Sequence, residues 1–222
     1  MVKLKLERQR KGFNRLAAIY DYLLLIPPGR GFIKSQDVLI PLLPQKKSCL
    51  IIGGGTGTFL RSLIISGKVT HIVYLDISEK MLAKASAKIK DLNQKCKVEF
   101  RRGSFDKITE DEKFDLIVTN FFLDLFSQEE VKAWMRFINN KLSDGGLFYF
   151  TDLQISRGKT FRTFLNNIYI KVLYFFFRNT TGINGKTLID LRTEILQSGF
   201  NVIHEKDYLK ELFYSAIFKK RS

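Results

Sequence analysis

Cysteine and histidine are scarce: the 222-residue chain holds two of each. Cys49 and Cys96 supply neither a disulfide framework nor a zinc set. Both lie in apolar, strand-like surroundings and read as buried, inert thiols. No metal site is expected. Long apolar runs are missing too. The most apolar stretch, Phe161 to Phe177, is broken by Arg162, Asn166, Asn167 and Lys171 and is too short and polar to span a membrane. Met1 to Lys11 is basic but leads into no apolar core, so no signal peptide is expected and a cytoplasmic setting follows. Internal repeats and low-complexity segments are absent.

What is present is a globular composition with a strong charge bias. Hydrophobic residues make up 45% and charged residues 27%, which suits one folded domain with a sizeable core. The net charge of +15 suggests attraction to anionic surfaces and says nothing about fold.

The stretch from Cys49 to Leu60, CLIIGGGTGTFL, organises the rest. Cys49 to Ile52 form a continuous apolar run, as in a parallel strand covered on both faces. Gly53, Gly54, Gly55 and Gly57 follow, with Thr56 among them, where the chain must turn sharply and approach a ligand. Thr58, Phe59 and Leu60 open a helix. The spacing is Gly-x-Gly-x-Gly, not the Gly-x-Gly-x-x-Gly of dinucleotide folds. Asp76 ends the next apolar run, where an acid can accept hydrogen bonds from both ribose hydroxyls.

Further along, Phe13 to Tyr22 shows helical periodicity, after a start at Met1 to Lys11 expected to fray. Pro27-Pro28-Gly29 ends that element. Gly31 to Leu43 reads as a second helix closed by Pro44. Helices are predicted over Thr58 to Ser66, from Ser78 to Asn93 and from Ser127 to Leu142, the last two with serine caps. Strands are predicted over Val69 to Leu75, Lys97 to Arg102, Phe114 to Thr119 and Leu147 to Leu153, with a turn at Ser143 to Gly146. The alternation implies an α/β, doubly wound parallel sheet. After it come an aromatic helical segment, Lys159 to Phe177, a helix over Thr187 to Ser198, and two strands, Phe200 to His204 and Leu212 to Phe218. His71 starts a strand on the edge away from the glycine turn, and His204 ends a late strand with no evident partner; both read as structural.

The glycine loop, Asp76, the Gly103-Ser104-Phe105-Asp106 turn, Val118 to Asp124 after the fourth strand and Asp144-Gly145-Gly146 before the fifth resemble class I S-adenosylmethionine (SAM)-dependent methyltransferases. FNRLAAIYDYL, from Phe13, resembles the capping segment of the ubiquinone/menaquinone-biosynthesis group. The resemblance covers roughly Phe13 to Thr151 and implies a Rossmann-like, seven-stranded, mostly parallel sheet with a C-terminal antiparallel pair. It implies one domain over 1–222: capping helices at 1–44, a SAM-binding core at 45–153, an insertion at 154–186 forming part of the acceptor pocket, and a C-terminal helix and strand pair at 187–222.

The resemblance also assigns cofactor contacts. Tyr20 lies near the methionine part or else packs its helix onto the sheet. Gly53, Gly54, Gly55, Thr56 and Gly57 let backbone approach methionine and ribose. Asp76 takes the ribose hydroxyls, Ile77 covers one adenine face and Phe105 the other. Ser104 stands where relatives commonly carry an acid for the adenine amine, with Asp106 two residues on as a substitute. Ile51 stands where another acid is usual, so the carbonyls or side chains of Thr119 and Asn120 are left to hold the methionine amine. Asp124 is the candidate general base, needed only if the acceptor must lose a proton; its other reading is a helix cap or surface acid ahead of Ser127. The stripe Phe161, Phe164, Leu165, Ile168 and Val172 suits core packing or an apolar acceptor.

Two functions follow. One is a SAM-dependent methyltransferase acting on a small, apolar or aromatic molecule, with loose association to an anionic membrane surface. The other is a non-enzymatic module of the same fold that binds lipid or nucleic acid through its charge. Against a base-modifying enzyme, no Asn/Asp-Pro-Pro-Tyr/Phe element follows the fourth strand, and nucleic acid is not the expected partner.

Overall fold

The computed structural model describes residues 2–18, 20, 29–92, 96–154, 168, 170–172, 179–181, 189–209 and 212–221. The helices are α1 (Val2–Leu16), α2 (Gly29–Asp37), α3 (Thr58–Ile65), α4 (Glu79–Lys88), α5 (Gln128–Lys141) and α6 (Leu191–Gln197). The strands are β1 (Lys46–Ile52), β2 (Val69–Asp76), β3 (Lys97–Arg102), β4 (Phe114–Asn120), β5 (Leu142–Leu153), β6 (Phe200–Tyr208) and β7 (Phe213–Lys220).

The seven strands form one sheet in the order β3-β2-β1-β4-β5-β7-β6. β3 to β5 pair in parallel, while β7 runs antiparallel to both β5 and β6. The apolar run of β1 explains its central place. Leu50 and Ile52 enter the core under α5 and α6, and Cys49 and Ile51 enter the opposite core under α3 and α4, because successive side chains point to opposite faces. The order reverses between β1 and β4, which opens a crevice at the carboxyl edge.

Side chains finish the elements where the sequence signals them. Ser78 caps α4 by accepting from the Met81 N–H. Ser127 and Glu130 form a reciprocal capping box on α5. The turn at Ser143 to Gly146 appears as a bulge inside β5, whose pairing skips from Leu142 to Leu147 while β4 advances only from Phe114 to Leu116. At the amino edge, Asp115 Oδ2 accepts from the Lys47 and Ser48 N–H groups, both at 3.1 Å, and from Ser48 Oγ at 3.2 Å. It ties β1 to β4 just before their ladder begins. Asp115→Ala is expected to lower stability by roughly 1–3 kcal/mol in urea unfolding, with ligand affinity at the far edge unchanged.

Three expectations need correction. α1 begins at Val2, not at Phe13, because the Leu, Lys, Glu, Arg and Gln residues that dominate the stretch before Phe13 are good helix formers and outweigh the single glycine, Gly12. β6 runs to Tyr208, past His204, because pairing with β7 holds it through a bulge between Val202 and His204. Of the aromatic segment, only 168 and 170–172 lie within the described residues. There Ile168 and Val172, placed on the apolar stripe, are 42% and 61% exposed, and Ile170 is buried against Leu153, Leu212 and Phe213. The rest of that segment and most of the 154–186 insertion lie outside the described residues. Among the described residues no helix is long and apolar enough to cross a membrane.

Candidate active site

The crevice at the carboxyl edge is a cavity of about 600 Å³. Its floor is the glycine turn. Gly53, Gly54, Gly55 and Thr56 line it. At Gly53 φ is +64°, and a Cβ would lie 2.2 Å from the Phe122 ring, so only glycine fits there. Gly57 does not line the cavity. It precedes α3 in the left-handed region at φ +83° and serves the turn, a correction to its assignment as a ligand contact.

Asp76 stands at the end of β2, 8% exposed. Its Oδ2 accepts from the Gly55 N–H at 3.2 Å and its Oδ1 from the Ser78 N–H at 2.8 Å. The carboxyl thus joins the glycine turn to the start of α4, and each oxygen keeps a further acceptor position. Burial pushes its pKa up to about 6, against the pull of these backbone N–H groups. Ile77 and Ser104 also line the cavity, and Phe105 sits on its rim, half exposed, edge-on to Trp134 at 5.4 Å. Ser104 donates its N–H to Asp106. Asp106 reaches the cavity too but is ion-paired with Lys107 at 3.3 Å.

Tyr20 lines the cavity and packs with Phe13, Leu16, Ala17 and Met81. α1 is held over this edge by Asn14, whose Oδ1 accepts from Ser78 Oγ at 2.6 Å. Ile51 lines the cavity where an acid is usual. Asn120, at the end of β4, lines it as well, and both its amide oxygen and nitrogen are buried with no hydrogen-bond partner among the described residues. Thr119 is buried behind the wall and does not line the cavity, because alternation along β4 turns it away.

Asp124 is neither a helix cap nor a surface acid. It lies in a 3-10 turn, Leu123–Leu125, 8% exposed, and lines the cavity. Its N–H donates to Asp152 Oδ2 at 3.3 Å, and the two carboxyl groups are hydrogen-bonded to each other. Burial first, and the charge of Asp124 second, hold the Asp152 carboxyl well above its usual range. Asp152 escaped the sequence reading. Its signal was an acid ending the apolar run Leu147 to Phe150 at a strand's carboxyl end.

A wall of aromatic rings also escaped it. Phe121 stacks on Phe32 with centroids 3.5 Å apart and both rings line the cavity, as do Phe13, Phe122, Phe126 and Trp134. Phe121 adopts φ +51°, a strain on the order of 1–3 kcal/mol, and its N–H donates to the Thr151 carbonyl at 2.7 Å. His71 bonds Glu99 at 3.1 Å on β2 and β3, outside the cavity lining. His204 is exposed, and Cys49 and Cys96 are buried free thiols. Among the described residues no group of three acids, histidines or cysteines could hold a metal.

This arrangement fits a nucleoside with a polar tail. An acid with spare acceptor positions, the apolar side chains of Ile77 and Phe105, and the Asn120 amide, without a partner among the described residues, line one cavity. Residues 50–148 match the family model described as a methyltransferase domain. The chain is 25% identical over 177 residues to the carboxy-S-adenosyl-L-methionine synthase of Nautilia profundicola, covering 76% of this chain and 70% of that protein. It shares its fold with the N-methyltransferase NodS of Bradyrhizobium japonicum in complex with S-adenosyl-L-homocysteine, at TM-score 0.71 and 15% identity over 97% of this chain and all of that one. The DhpI–SAH complex gives TM-score 0.70 at 18% identity over 97% of each chain. The magnesium protoporphyrin IX methyltransferase of Synechocystis gives 0.62 at 20% identity, over 87% of this chain and 85% of that one.

Proposed function

With residues 50–148 a methyltransferase domain set in the fold of SAM-dependent methyltransferases, we propose that the chain binds SAM and methylates a small, apolar or aromatic acceptor. The observation that carries the acceptor class is the aromatic wall of Phe32, Phe121, Phe122, Phe126 and Trp134 around a cavity of about 600 Å³. Asp76 takes the ribose hydroxyls. The backbone of Gly53 to Thr56 and the side chain of Tyr20 hold the ribose and methionine parts. Ile77 and Phe105 cover the adenine, and Ser104 accepts from its amine more weakly than a carboxylate would. Asn120 holds the methionine amine in place of the acid absent at Ile51.

The cofactor supplies an activated methyl group, so the chain's own task is alignment of the acceptor and exclusion of water. Asp124 is the group placed to take a proton where the acceptor must lose one. Methyl transfer from radiolabelled SAM, in the presence of lipophilic extracts, tests this reading. Label entering an organic-soluble product supports it; label entering only nucleic acid or protein contradicts the acceptor class. We also propose a cytoplasmic setting and, on the strength of the +15 charge, loose contact with anionic membranes. Co-sedimentation with anionic vesicles that weakens steeply with salt is the expected result.

A further inference from the structure

The helix that covers the cavity has a second face. α1 turns Gln9 and Phe13 inward, where both line the cavity, and Gly12 and Leu16 are buried beside them. Arg8, Lys11 and Arg15 are exposed on the other side. They stand three and four residues apart, so they share one face of the helix. The one acid of α1, Glu7, is paired with Arg10 at 3.9 Å. Among the described residues no ion pair holds Arg8, Lys11 or Arg15. Asn14 fastens α1 to α4, accepting from Ser78 Oγ at 2.6 Å and from the Lys80 N–H at 3.4 Å. That bond brings Lys80, also exposed, beside the basic row.

Apolar side chains are exposed at the same cavity. Ile168 and Val172 lie one helical turn apart with exposed Lys171 between them. Behind them Ile170 packs in one cluster with Phe32 and Phe121, the stacked rings of the cavity wall. Further along, the chain meets α1, where a Cβ on Gly12 would lie 2.4 Å from the Thr181 Cα. A basic helix face and an apolar pair thus flank one cavity. Cations set on headgroups and apolar side chains set into the acyl boundary are what hold a protein at a membrane interface. A nucleic acid would use the cations but gain nothing from Ile168 and Val172.

We infer that the outer face of α1 docks the chain on an anionic phospholipid surface, with Arg8, Lys11, Arg15 and Lys80 on the headgroups and Ile168 and Val172 against lipid. This deepens the proposed membrane contact and rests on it: total charge attracts in any orientation, whereas this face fixes one. One helix diameter, about 10–12 Å, then separates the headgroups from the cavity. An apolar acceptor held in the bilayer has a short path to the site.

The test sediments the full chain at low salt with vesicles of phosphatidylcholine mixed with phosphatidylglycerol, and with vesicles of phosphatidylcholine alone. One variant combines Arg8→Gln, Lys11→Gln and Arg15→Gln. A control of equal charge combines Lys132→Gln, Arg136→Gln and Lys219→Gln, three exposed cations on α5 and β7. Circular dichroism shows that each is folded. The α1 variant is expected to bind the mixed vesicles about a hundredfold more weakly than the parent, and the control less than about tenfold more weakly. A third variant, Ile168→Ser with Val172→Ser, leaves α1 intact and is expected to lose about tenfold with the salt dependence unchanged. Equal losses in the two charge variants overturn the inference and leave a contact set by total charge. Binding that ignores phosphatidylglycerol, or no binding by the parent, overturns it as well. Tighter binding to duplex DNA of equal charge, lost in the same α1 variant, would give the face to nucleic acid instead. The assay needs no SAM, so these failures leave the methyltransferase reading standing; failure of the parent to bind S-adenosylhomocysteine strikes that reading alone.

Discussion

Asp76→Ala is expected to weaken SAM binding by about a hundredfold or more. In the proposed ribose role of Asp76 two charge-assisted hydrogen bonds are removed, each worth roughly 1.5–3 kcal/mol, and about 2.8 kcal/mol is a hundredfold. The glycine turn also loses the carboxyl that holds the Gly55 N–H. Asp76→Asn separates binding from stability. The Asp76 pKa is raised in the folded chain to about 6, above the unfolded value of about 3.9. The folded state therefore binds more protons between these values, and stability falls as pH rises through that window.

Near neutral pH the buried charge costs about 3 kcal/mol by this linkage. Asn removes that cost but can no longer accept from both Gly55 and Ser78, which returns roughly 1–3 kcal/mol. Without ligand, Asp76→Asn should be at least as stable as the parent near pH 7 and should lose the decline between about pH 4 and 6. Its SAM affinity should fall like that of Asp76→Ala. Urea unfolding across pH beside calorimetry checks both. A variant that binds SAM normally contradicts the ribose assignment.

Gly57→Ala should have the largest effect on the folded state. At φ +83° an added Cβ costs roughly 1–2 kcal/mol in backbone strain. That Cβ would also lie 2.7 Å from the Ala85 Cα and 2.8 Å from its Cβ. The contact is with α4 backbone, so the helix must move, at a further cost of roughly 1–3 kcal/mol. The sum, about 2–5 kcal/mol, lowers Tm by roughly 5–20 °C in a chain of this size. Gly145→Ala shares the positive φ but has open space around its Cβ. It should cost only the backbone strain, roughly 1–2 kcal/mol. Equal losses in the two variants would show that packing of the glycine turn on α4 adds nothing.

The central sheet was legible because its signals are local. β1 is an apolar run ended by glycines, α4 and α5 open on serine caps, and Asp76 closes an apolar strand. The N-terminal helix was misjudged at its start because alternating basic and apolar residues carry no helix-start signal. The lining of the cavity was legible where backbone chemistry dictates it, at Gly53 to Thr56 and Asp76. It was illegible where it depends on pairs distant in sequence. Asp124 and Asp152 are 28 residues apart, and Phe32 and Phe121 meet only because α2 packs over the ends of β4 and β7. No single stretch of sequence announces such a meeting. Strand periodicity could have shown that the side chains of Thr119 and Asn120 face opposite ways, so that those two side chains could not share one ligand contact.

The most direct measurement is calorimetric titration of the purified full chain with SAM and with S-adenosylhomocysteine. Saturable binding of both, lost in Asp76→Ala, is the predicted result. Binding of neither at high concentration would contradict the account and leave a methyltransferase fold serving an anionic partner.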